Sequence, residues 1–155
     1  MGAKERLGEY LRDEGVGFEE HQHPEAFTSQ EVAAAEHVPG RMVAKVVVVM
    51  ADGDLFMLVL PAHHHVDLNR ASEAIGRQVR LAAEEEFAPA FPDCEPGAMP
   101  PFGNLYGLPV YADRELAANE RIVFDAGTHT DTMSIPYVDY ERLAQPTVAD
   151  FSSVP

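Results

Sequence analysis

A mixed-sheet domain of the α/β or α+β class is what this sequence predicts, and three observations carry the expectation. Short apolar runs rich in β-branched residues interleave with helical spacings in no regular order. Asp52-Gly53 joins two of the runs as a favoured two-residue hairpin turn. No linker, internal repeat or low-complexity tract divides the 155 residues, and 17.0 kDa holds one sizeable core and little more. The chain is therefore read as one domain, 1–155.

In chain order, Ala3–Glu14 puts Leu7, Tyr10 and Leu11 at helical spacing, with Gly15 as a C-terminal stop. Val16–His21 reads as a short strand ended by the His23-Pro24 turn. Thr28-Ser29-Gln30-Glu31 is a capping box that opens a helix to about His37, and Val38-Pro39-Gly40 ends it. Arg41–Met50 and Asp54–Leu60 are the arms of the hairpin. Asp67 caps a helix to Ile75 with Gly76 as its stop, and Gln78–Leu81 returns as a strand. An acidic helix, Ala82–Ala88, leads into a Pro/Gly-rich loop from Pro89 to Gly107. Strands are predicted at Leu108–Tyr111, Arg121–Phe124 and Thr130–Ile135. Pro136 suits the first turn of a closing helix, Tyr137–Ala144.

Composition excludes several classes of function. Apolar residues make up 46% and charged ones 24%, an ordinary globular balance. The longest apolar runs, Val46–Ala51 and Leu55–Pro61, are too short to cross a bilayer. The opening residues Met1–Arg12 lack the apolar core of a signal peptide. Lone Cys94 excludes an internal disulfide or a Cys-rich zinc site and suits a reducing cytoplasm, the compartment expected. Against 26 Asp+Glu there are 11 Lys+Arg, a formal net charge of −15. No DNA or membrane partner is expected of such a chain, and any RNA contact must be local.

Of the two lysines, Lys4 lies in the polar opening helix and Lys45 inside a valine strand. Lys45 shares a face with Val43, Val47 and Val49, while Ala44, Val46, Val48 and Met50 take the other. An ammonium there is costly unless it meets a pocket, a carboxylate or an anion; the alternative is a packed stem whose head reaches water. Gly97-Ala98-Met99-Pro100-Pro101-Phe102-Gly103 is a stiff loop whose free peptide groups can hold an ammonium or an oxyanion, or a plain connection. His63-His64-His65 lacks the converging partners of a metal site, and none is proposed. His129, amid Thr128, Thr130 and Asp131, can orient a substrate or simply close a turn. Thr28 is explained by capping. No phosphate-binding glycine loop, nucleophilic serine elbow or dinucleotide fingerprint is present.

The order of these features resembles the YbaK family, the prolyl-tRNA-synthetase-associated or editing domain. The residues that carry the resemblance are His23-Pro24, Thr28–Glu31, the Lys45 strand, Asp67–Ile75, Gly97 through Pro101, Pro101-Phe102-Gly103 and Ala126-Gly127, over roughly His23 to Leu143. It implies a YbaK-like mixed sheet, partly barrel-like and flanked by short helices, that hydrolyses wrongly charged aminoacyl-tRNA without metal or organic cofactor. Lys45 matches the lysine that helps hold the tRNA 3′ terminus. Gly97 and Pro101 match the motif that positions the aminoacyl group, so Thr28, Ala98, Met99, Pro100, Pro101, Phe102 and Gly103 are expected to bind substrate. Lys45, Gly97 and His129 are the expected catalytic set. Valines surround Lys45 where many members carry Lys-Thr or Lys-Asn, and the histidine run is foreign to the family.

An aminoacyl ester is already activated, so its hydrolysis needs positioning, a water and stabilised negative charge, not a protein nucleophile. In the resembling enzymes the ribose hydroxyl or side chain of the substrate takes part. The acidic surface implies recognition confined to the CCA end, aided by Arg41, Arg70, Arg77 or Arg80, or else delivery by a synthetase or elongation factor. The expected function is trans-editing deacylation of tRNA carrying a small amino acid. Two rivals stand: a non-catalytic amino-acid or tRNA-end binding module of the same fold, and a metallohydrolase built on His63 and His65.

Overall fold

Helix α1 (Ala3–Asp13) turns Leu7 and Leu11 into the core, as their spacing requires. The computed structural model describes residues 2–155. Val16 and Phe18 pack against the core as connecting chain, so strand β1 begins later than expected, at Glu19–Gln22, and all four of its residues are exposed. Thr28 caps helix α2 (Ser29–Ala35), accepting a hydrogen bond from the Glu31 amide at 3.1 Å, while Glu31 accepts one from the Phe27 amide at 3.3 Å. The helix stops short of His37, which takes a left-handed φ of 56°. A tight 3-10 turn, Gly40–Met42, replaces the expected first residues of the valine strand.

Strand β2 (Ala44–Ala51) then pairs antiparallel with β3 (Asp54–Pro61), in register from Ala44–Pro61 to Ala51–Asp54. Asp52 and Gly53 both have positive φ, 50° and 84°, the requirement of a type I′ turn. A two-residue strand β4 (His65–Val66) precedes helix α3 (Leu68–Ile75), capped by Asp67 and stopped at left-handed Gly76. Strand β5 (Arg80–Leu81) and helix α4 (Glu84–Phe87) are shorter than expected, the helix giving way to a 3-10 turn around Pro89. Another such turn, Gly103–Leu105, breaks the long loop.

Strand β6 is Val110–Asp113, displaced two residues because Pro109 has no amide to give and instead accepts from the Met57 amide at 2.9 Å. Strands β7 (Arg121–Asp125) and β8 (Asp131–Pro136) fall close to expectation. Pro136 ends β8 and caps helix α5 (Tyr137–Ala144) from outside rather than filling its first turn. The tail adds two strands the sequence did not announce, β9 (Thr147–Ala149) and β10 (Ser152–Ser153).

The sheets are β5-β2-β3-β6-β9, with β6 and β9 parallel to their neighbours, then β1-β8-β7, and the pair β10-β4. One parallel bridge, Val43 to Val123, links the first two sheets. The sheets stay open, so the barrel-like closure reduces to that bridge. The hairpin is buried on both faces, which is why it reads as a continuous valine run. One face meets α1, α5 and the aromatic core of Phe102, Phe124 and Tyr140; the other meets Ala71 of α3, together with Val79 ahead of β5 and Phe151 of the tail. Among the described residues no helix is long and apolar enough to cross a membrane.

Candidate active site

At the open end of the hairpin, Phe27, Thr28, Ser29, Gln30, Lys45, Val46, Ala62 and Gly97 line a cleft of about 430 Å³. The size is within the range of small-molecule sites. Lys45 is the only charged residue in that lining. Its ammonium is half-buried and donates to the His64 carbonyl oxygen at 2.5 Å. Among the described residues no carboxylate pairs with it, and burial pushes its pKa below the ordinary lysine value. One of the three donors of the ammonium is thus satisfied by a neutral oxygen, and the chain supplies no counter-charge.

Gly97 closes the cleft from the long loop. Its φ of +86° lies in the left-handed region, and an added Cβ would sit 3.6 Å from His129 Cε1. The neighbouring amides are already spoken for: Gly97 N–H points to Met99 Sδ at 3.3 Å, and Ala98 N–H donates to the Glu95 carbonyl at 3.0 Å. Ala98 in turn accepts from the Gly127 amide at 2.9 Å, which ties the loop to the turn before β8. The Gly97 and Ala98 amides and the Glu95, Pro96 and Ala98 carbonyls are thus all engaged within the protein, and the loop presents no ready pair of N–H donors.

His129 sits behind Gly97. Its Nε2 is 3.0 Å from the Pro96 carbonyl, its amide donates to Glu95 Oε1 at 2.7 Å, and its ring lies 4.9 Å from that of Phe27. Lys45, Thr28, Gly97 and His129 are thus gathered at one end of the molecule. Ala98, Met99, Pro100, Pro101, Phe102 and Gly103 are buried beneath it. Their side chains turn into the protein: Phe102 is fully buried, edge-on to Phe124 at 5.7 Å and Tyr140 at 5.3 Å. They support the loop, and Tyr140 fixes it by donating to the Pro101 carbonyl at 2.9 Å.

Two neighbours were missed in the sequence. Phe27 is 62% exposed at the mouth of the cleft, unusual for so large an apolar ring. Asp125, at the end of β7, keeps a buried Oδ1 with no hydrogen-bond partner, and nearby His23 likewise keeps a buried, unpartnered Nε2. Burial pushes the Asp125 carboxyl up to about 7, against the opposing pull of His129 and His23. A carboxylate ending an apolar strand just before Ala126-Gly127 was the available signal.

The remaining candidates lie elsewhere. Arg77 pairs with Asp54 at 2.9 Å and Asp52 at 3.4 Å, and Arg80 with Glu86 at 2.8 Å, so these two are occupied by the chain's own carboxylates. Arg70 donates to the Ser152 carbonyl at 3.2 Å. Lys4 pairs with Asp131 at 3.3 Å. Burial raises the Cys94 thiol to about 11, which keeps it protonated and a poor nucleophile. His65 is exposed on β4, His63 packs edge-on to His64, and among the described residues no three His, Cys, Asp or Glu side chains converge to hold a metal.

Solved structures reproduce the fold. A protein described as a candidate trans-editing enzyme for prolyl tRNA synthetase superimposes with a TM-score of 0.86 at 22% identity, over 99% of this chain and 98% of that one. The hypothetical protein APE2540 gives 0.86 at 20% identity, over 95% and 99%. A candidate signal transduction protein from Marinobacter aquaeolei VT8 gives 0.75 at 17% identity, over 94% of this chain but 30% of that one. At such identities the likeness is one of fold. No curated protein matches the chain in sequence. The sequence model of the aminoacyl-tRNA editing domain does match, over residues 23–143, from the His23-Pro24 turn through the Lys45 strand and the Gly97 loop into α5. On that match the chain belongs to the family of aminoacyl-tRNA editing domains.

Proposed function

We propose that the protein hydrolyses the ester of wrongly charged aminoacyl-tRNA carrying a small amino acid, acting in trans and without metal or organic cofactor. The observation that carries the reading is Lys45: a half-buried ammonium without a carboxylate partner, the one charge on a ligand-sized cleft. Such a group attracts negative charge, either the phosphate of the terminal nucleotide or the oxygen that becomes anionic in the reaction. Water gives up a proton as it adds to the ester carbonyl, the tetrahedral oxygen takes the charge, and collapse breaks the bond to the ribose oxygen, which takes up a proton as amino acid and tRNA are released. Because the Gly97 and Ala98 amides are engaged within the protein, the loop's part is to exclude larger side chains through the close approach of its backbone at Gly97. His129 steadies that backbone and can orient the acyl group.

A size-limited hydrolytic site answers a real need, since synthetases separate amino acids that differ by a methylene or hydroxyl only weakly. The expected partner is the aminoacylated 3′ end, presented by a synthetase or an elongation factor. Hydrolysis of a panel of mischarged tRNAs, with and without chelator, tests the reading. The expected result is rapid, chelator-insensitive deacylation of one small amino acid. No turnover by folded protein across a broad panel contradicts the stand-alone enzyme and favours a binding module; loss of activity with chelator favours metal chemistry.

A further inference from the structure

The imidazoles of the histidine run have no part in that reaction, yet the backbone of the run is where Lys45 is anchored. The acceptor of its ammonium is the carbonyl of His64, in the turn between β3 and β4. That turn is fastened from three sides. The His64 amide donates to the Pro61 carbonyl at 3.0 Å. The next two residues, His65 and Val66, pair with Ser153 and Ser152 of the tail. The buried His64 ring shares a 2.9 Å hydrogen bond between Nδ1 and Ser152 Oγ.

The tail strand is itself held in place. Asp113 Oδ2 accepts from the Phe151 amide at 3.1 Å, Asp67 N–H donates to the Phe151 carbonyl at 2.8 Å, and the Phe151 ring is fully buried. The tail thereby bears directly on the turn that holds the Lys45 ammonium, although Ser152 lies more than a hundred residues along the chain from Lys45.

We propose that His64 and Ser152 are positioning residues for Lys45: the tail strand, through the His64 ring, fixes the carbonyl that aims the ammonium into the cleft. Burial, reinforced by His63 and by Lys45 and opposed by Asp113 and Glu115, keeps the His64 imidazole below its ordinary pKa. A neutral ring suits the role, because a second positive charge beside the ammonium would repel it. The consequence for catalysis rests on the proposed deacylase activity; the consequence for the ammonium itself does not.

The chain has only two lysines, Lys4 and Lys45. A sample labelled with 15N-lysine therefore gives two side-chain ammonium signals, assigned with Lys4→Arg. The Lys45 signal is expected to exchange slowly with water and to titrate below the ordinary lysine range. Ser152→Ala and His64→Ala should each move it towards a solvated lysine, while His64→Asn, whose amide can reach Ser152, should recover most of the wild-type behaviour. On a hydrolysed substrate the two alanine variants should lower kcat/KM by roughly fivefold to tenfold, the scale of one misdirected hydrogen bond, and add nothing to Lys45→Ala. An unchanged Lys45 signal in both folded alanine variants overturns the proposal, as does a full additional loss in the Lys45→Ala background. If no mischarged tRNA is hydrolysed at all, the ammonium signal still decides the positioning claim, so the two readings fail separately.

Discussion

Lys45 and Asp125 are two charges that the fold places at some cost, and they differ in how far the sequence revealed them. Lys45 was legible because alternation along a valine strand puts it among apolar neighbours whatever the topology. Its acceptor was not legible, since a backbone carbonyl nineteen residues on carries no sequence mark. The burial of Asp125 was not legible, because a carboxylate at a strand end reads as exposed and one of the two imidazoles that act on it, His23, lies about a hundred residues away along the chain. Its folded pKa of about 7 stands above the ordinary aspartate value of 3.8. A raised carboxyl pKa means that the folded state binds the proton more tightly than the unfolded state. Stability from this group is therefore present below about pH 4 and declines as pH rises to about 7. Asp125→Asn should then raise Tm by about 5 °C at pH 8, with the gap closing towards pH 4, read by thermal melts across that range. A constant difference at all pH values would contradict the assignment.

Among the elements, the β2–β3 hairpin was legible but for the start of its first arm, because its turn and its apolar arms are local signals. The elements that went astray depend on partners far along the chain. Exposed β1 is a strand only because β8 pairs with it from Glu19 to Gln22, while the more apolar Val16 and Phe18 are drawn into the core. The tail strands β9 and β10 are only three and two residues long, and they exist through pairing with β6 and β4. The loop from Gly97 to Gly103 was recognised as a unit, but its division of labour was not. Gly97 faces the cleft, and the residues after it hold the loop to the core. Tyr140→Phe tests that support. Removing the hydroxyl leaves the buried Pro101 carbonyl without its donor and should cost about 1–2 kcal/mol in urea denaturation. An unchanged midpoint would mean that the tether contributes nothing.

At the scale of the whole molecule, a chain of net charge −15 presents one unpaired, half-buried ammonium on a cleft that its own carboxylates do not reach. Arg77 and Arg80 are neutralised by neighbouring acids, so the positive field available to a polyanion is local. On the proposed function, recognition is concentrated at one end of the ligand, and the body of the tRNA is left to another protein. This arrangement accords with membership of the editing-domain family, and it makes Lys45 the residue on which the functional account depends. The most direct measurement is single-turnover deacylation of the preferred mischarged tRNA by wild type and by Lys45→Ala, with thermal melts to show that both are folded. The account predicts a loss of at least about 100-fold, the scale of removing one donor to a developing oxyanion, at an unchanged Tm. A Lys45→Ala rate within about twofold of wild type would contradict it.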